Sequence, residues 1–129
     1  MDAEYEEEKQ KCKSNAEITS LNEDFAKKWY DLIEVYYNCA ATPSEPIHND
    51  ERLDDWEVKK REDIRSIHEN WKIYAQQRLK NEEDRIFTIY TTGSIVPVVL
   101  SQFKYDFYRM HAIEMYEMCN EAFISCPQP

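Results

Sequence analysis

The chain has 129 residues, a formal net charge of −10 and a single glycine. That length fits one domain with a modest core, and 42% hydrophobic residues with 13% aromatics exclude a disordered composition. One glycine and five prolines supply too few turns for a strand-rich domain, and no basic stripe runs along the chain. The expected class is therefore all-α, with no direct binding of nucleic acid.

Residues 1–18 open with an acidic run, Glu4 and Glu6 to Glu8 around Tyr5, followed by Lys9, Lys11 and Lys13. The segment has little to bury, so it is expected as an acidic tail or a short frayed helix, with residues 19–129 forming a single helical domain. The acidic, polar N-terminus is the opposite of a secretory or transit signal, which points to an intracellular protein.

The first firm helix is expected over about 20–41. Ser20 and Glu23 read as a capping box. Leu21, Phe25, Trp29, Leu32, Tyr36 and Cys39 recur at steps of three and four, and Ile33 and Val35 widen the stripe. Leu21, Phe25, Trp29 and Leu32 are expected to pack on the last helix. Pro43 and Pro46 stop the helix, and the loop holds Glu45 and His48 in an Exx-His pattern. Helical di-iron sites need that pattern on several helices, and here it stands once in a proline-broken loop.

A second helix is expected over about 50–92, with Asn49 or Asp50 as cap. Leu53, Trp56, Ile64, Ile67, Trp71, Tyr74, Leu79, Ile86, Ile89 and Tyr90 are its apolar positions, and Ile64 to Tyr74 make a coiled-coil-like seam. Residues 80–84 are KNEED, so the helix is expected either to break near Asn81 or to project as a solvated strut. Residues 51–92 carry ten acids against nine bases, the interleaving of an ion-paired helix.

Ile86 to Phe103 contains no charged residue. Eighteen residues sit at the lower limit of a membrane span, but six polar side chains, Gly93 and Pro97 interrupt it. The reading is a helical corner between Thr91 and Pro97, with Gly93 as the left-handed exit and Ser94 as the next cap; a broken membrane segment is the competing reading.

The third helix, over about 94–125, is apolar nearly all round: 18 of the 29 residues from Val98 to Cys126 are apolar or aromatic. One seam is Val96, Val99, Phe103, Phe107 and Met110. A second is Tyr105, Tyr108, Ala112, Met115, Cys119, Ala122 and Cys126. Phe103 and Tyr105 diverge by about 200° at 100° per residue. We expect Phe103, Phe107 and Met110 to face the intrachain core. Tyr105, Tyr108, Met115 and Tyr116 are then left as a protein-binding surface, with the composition interfaces favour.

Three histidines, His48, His68 and His111, have no nucleophile nearby in sequence, and His111 with Glu114 reads as a helix-rim pair. Cys12, Cys39, Cys119 and Cys126 show no zinc-type spacing and read as reduced thiols, with a Cys39 bridge to Cys119 or Cys126 as the alternative. No catalytic residue, cofactor, metal ligand or small-molecule substrate is indicated. The functional expectation is a non-catalytic accessory or structural subunit whose partners are other protein subunits. By analogy a place beside a membrane fits, as in a mitochondrial respiratory complex. The alternative is a free-standing acidic inhibitor that occupies the basic groove of a nucleic-acid enzyme, as viral DNA mimics do.

Overall fold

The structure, a computed structural model, describes residues 1–41, 51–90, 93 and 95–129. Four helices follow one another: α1 Asp2–Gln10, α2 Asn15–Ala41, α3 Glu51–Ile89 and α4 Ile95–Glu121. No strand occurs among the described residues. The Glu45–His48 pattern, the Asn49/Asp50 cap, Thr91, Thr92 and the Ser94 cap lie outside them.

α2 and α4 are the central pair, and they run parallel. Asn22 Nδ2 donates to Ser101 Oγ at 3.1 Å, Tyr30 meets Tyr108, and Tyr36 meets Tyr116. The partner of each α2 residue therefore advances along α4 in step. α3 runs antiparallel to both: Arg61 bonds the Cys39 carbonyl at 2.6 Å, His68 meets His111, Trp71 meets Phe107, and Arg78 lies over the Phe103 ring.

The N-terminal segment is a helix rather than a tail. Five acids and one lysine would leave α1 in water, but Tyr5 is 2% exposed and anchors it. Its ring stacks on Tyr105 at 4.2 Å and meets Phe25 edge-on, and its hydroxyl donates to Asn22 Oδ1 at 2.6 Å. Asn22 and Ser101 continue the bond chain to the Val98 carbonyl, which satisfies a polar group at the base of the core. Asp2 holds Arg109 through two bonds of 2.8 and 2.6 Å, and Arg109 keeps the Asp2 carboxyl below the usual carboxylate range.

The cap of α2, Ser14, lies six residues before the expected cap Ser20. The box is formed by Ser14 and Glu17 instead: Ser14 Oγ accepts from the Glu17 N–H, and the Glu17 carboxylate accepts from the Lys13 N–H. Ser20 is an ordinary exposed position inside the helix. The buried face is Asn22, Phe25, Ala26, Trp29, Ile33, Tyr36 and Ala40, one residue round from the expected stripe, with Leu21 and Leu32 half-buried against the core.

α3 is unbroken from Glu51 to Ile89, so of the two alternatives the break near Asn81 does not occur. At 1.5 Å per residue it is about 58 Å long, and it lies along α4 from Phe123 to Phe103 rather than projecting. Its inward residues include Glu57, Ile64, His68, Ala75, Glu82 and Ile86, so half of them are polar or charged. Polar groups reach this seam in pairs. Glu57 accepts from Arg61, and Glu82 accepts from Arg78 and Arg85 at i,i+4 and i,i+3. The two arginines hold the Glu82 carboxyl down at about 2. KNEED therefore continues the helix by ion pairing where apolar burial is missing.

α3 ends at Ile89 and α4 begins at Ile95, with Gly93 between them at φ +109°, a conformation that disfavours any side chain. Pro97 is the third residue of α4, where its missing N–H has no helical acceptor to lose. No described helix is long and apolar enough to cross a membrane. The corner still shows apolar side chains to water, Phe87, Ile89, Tyr90 and Ile95, beside an open pocket of about 300 Å³ lined by Val96, Pro97 and Leu100.

Candidate functional site

Three of the seven α4 positions assigned from the sequence, Tyr105, Met110 and Met115, lie on the opposite side from expectation, while Phe103, Phe107, Tyr108 and Tyr116 are half-buried. Tyr105 is 5% exposed and Met115 is fully buried, whereas Met110 is 69% exposed. Three helices decide this. α2 covers the Tyr105–Ala112–Met115–Cys119 seam along its whole length, and α1 closes its start by stacking Tyr5 on Tyr105. Tyr108 and Tyr116 are half-buried against Tyr30 and Tyr36. Tyr105 and Met115 are thus intrachain core, not surface for a partner.

Among the described residues the opposite side of α4 is covered by α3, and incompletely. Phe103 and Phe107 stack at 5.6 Å, Tyr74 of α3 leans on Phe107 at 6.0 Å, and Met110 follows one turn on. Tyr74 is itself 54% exposed. Ile67 and Tyr74, expected in the α3 seam, flank it instead, because His68 and Ala75 take the inward positions.

Behind this face the rings continue inward. Phe107 stacks on Trp71 at 5.6 Å, and Trp71 lies over His111 at 3.9 Å with 4° between the planes. His111 is coplanar within 15° with His68, whose far side meets Tyr37. His68 Nδ1 and His111 Nε2 are 3.1 Å apart and share one hydrogen bond, its direction fixed by the tautomer. His111 thus pairs across the bundle with His68 and not with Glu114. The other ring nitrogen of His68, Nε2, is buried without a hydrogen-bond partner, and Glu34 Oε1 lies 3.9 Å away. Burial is the first cause that lowers both histidines, His111 to about 3. Both rings are accordingly neutral at pH 7.

Sequence pattern alone passed over this pair because 43 positions separate its members. The signal available was that each falls on a helical stripe beside a large aromatic, Trp71 or Phe107. No group of three or more histidine, cysteine, aspartate or glutamate side chains converges on a metal-sized site among the described residues. The four cysteines are free thiols, and burial pushes Cys119 up to about 12.

No protein-family model, no curated protein and no solved structure matches the chain.

Proposed function

We propose that the chain is a non-catalytic helical subunit of a larger protein assembly, and that it docks through the α3/α4 face formed by Tyr74, Phe103, Phe107 and Met110. The observation that carries this reading is Met110, 69% exposed, on the same stripe as the stacked Phe103 and Phe107 and beside a half-exposed tyrosine. Aromatic residues and methionine are the types enriched where proteins meet. The apolar corner of Phe87, Ile89, Tyr90 and Ile95 supplies a second surface for the same assembly.

The acidic-mimic reading is weakened by the charge balance of α3, ten acids against nine bases, and three of those acids, Glu57, Glu69 and Glu82, sit within 4.0 Å of a base on the same helix, whereas a mimic needs acids arrayed without partners. The test is affinity isolation of the tagged chain against its Met110→Glu and Tyr74→Glu variants. The expected result is loss of one stoichiometric partner in both variants, with helix content by circular dichroism unchanged. Retention of that partner by both variants would remove this face from the assembly.

A further inference from the structure

α3 is held in its middle by very little. Between Ile64 and Ala75 the fully buried side chain is His68, with Trp71 only half-buried beside it. A neutral imidazole fits there because it completes a hydrogen bond with His111 and stacks in line with Trp71. A charged one is held weakly there, since the nearest carboxylate, that of Glu34, stands 3.9 Å from Nε2 and is itself 38% exposed.

The surroundings can be named helix by helix. From α2, Tyr30, Glu34 and Tyr37 face the ring cluster, and Glu34 is 38% exposed with its carboxylate 3.9 Å from His68 Nε2. From α3 itself, Lys72 opposes a charge on His68 while Glu69, like Glu34 of α2, favours one. Glu69 and Lys72 pair with each other at 3.9 Å on the exposed rim. From α4, Tyr108 stays neutral, pushed up by burial, and His111 meets a like charge in His68 once both rings are protonated. The compensating carboxylates therefore sit at the rim, and the ring reaches them when α3 moves outward into water.

We propose that the His68–His111 pair is a proton-operated latch that holds the middle of α3 against α2 and α4, and that acidification opens it and dismantles the α3/α4 docking face. The inference rests on that face as the docking site. The coupling is physical contact: the ring series His68, His111, Trp71, Phe107 joins the latch to the exposed surface. No covalent step is involved, only uptake of protons by ring nitrogens that become accessible. In the open state both rings bind protons near their ordinary range, so the open population grows as pH falls below about 6.5, by roughly tenfold per pH unit for His111 and further with His68.

Amide hydrogen exchange of the full chain between pH 6.5 and 5, corrected for intrinsic exchange rates, tests it. Protection of the amides from residue 64 to 75 is expected to fall at least about tenfold per pH unit, and by less in His111→Phe, which keeps a stacked ring. Amides of α2 around Trp29 serve as the reference and keep their protection. Protection that stays within threefold in the unsubstituted chain overturns the latch, whatever the variant does. Imidazole signals that titrate near 6.5 with protection retained overturn it as well. The docking reading is judged separately at pH 7.5: a Met110→Glu variant that keeps its partner there while the latch opens as expected overturns the link between latch and docking face alone.

Discussion

Met110 and Met115 are the same residue type on the same helix, five positions apart, and the structure places them at opposite extremes of exposure, 69% and 0%. Truncating each to alanine isolates the orientation of α4 from every other variable. At Met115 the change removes a fully buried side chain from the α2/α4 core and leaves a cavity that neighbouring rings fill only in part, a loss of roughly 2–5 kcal/mol. For 129 residues the unfolding entropy is about 0.27 kcal/mol per kelvin, so a central value of about 3 kcal/mol lowers Tm by about 11 °C. At Met110 little packing is lost, and the change stays within about 0.5 kcal/mol, or about 2 °C. Thermal denaturation followed by circular dichroism reads both, with urea unfolding as the check that the slope is unchanged. Equal losses at the two positions, or a larger loss at Met110, would refute the assignment of the Tyr105–Met115 seam to the interior.

Phe25→Ala, which removes a buried ring that Tyr5 meets edge-on and Lys28 covers at 4.2 Å, should cost about 3–5 kcal/mol by urea unfolding. Arg109→Gln breaks an ion pair whose partners are 35% and 52% exposed, so global stability should change by less than about 1 kcal/mol while exchange protection of α1 falls. Stability should decline on acidification from about pH 6.5. His111 takes its proton at about 3 in the folded chain and near 6.5 unfolded, so the unfolded state binds more protons throughout that window. The slope is about 1.4 kcal/mol per pH unit for this group, and His111→Phe should flatten it; an unaltered slope counts against the burial of a neutral ring. Alkylation at pH 8 should spare Cys119 in the native chain, since burial keeps its thiol protonated; labelling at the rate of Cys12 would contradict that.

Much of the framework was legible in the chain. The lone glycine argued for helices joined by few turns, and Gly93 with Pro97 located the corner, because a positive φ and a missing donor are requirements of single residues. Phe25 and Trp29 were found by period alone. What failed had one common cause: period says which residues share a face, not what covers the face. Both α4 seams read as apolar, and the choice between them depended on α2 packing in parallel register and on Tyr5 closing the end, neither of which is a local property. α1 was underrated because one buried tyrosine and two ion pairs hold it in place of a stripe. On α3 an apolar scan selected Ile67 and Tyr74, whereas the inward side is occupied by His68, bonded to His111 through Nδ1, and by Glu57 and Glu82, whose arginine partners the scan does not count.

The docking face is tested most directly by site-specific photo-crosslinking in the cells that make the protein, with a benzophenone side chain placed at position 110 and, as reference, at position 27, whose lysine side chain is 77% exposed on α2. Discrete adducts of one mass at position 110, absent at position 27 and lost when Tyr74→Glu is added, are the expected result. Adducts of the same pattern at both positions, or none at position 110 while position 27 gives one, would contradict the assignment of Tyr74, Phe107 and Met110 to an interface.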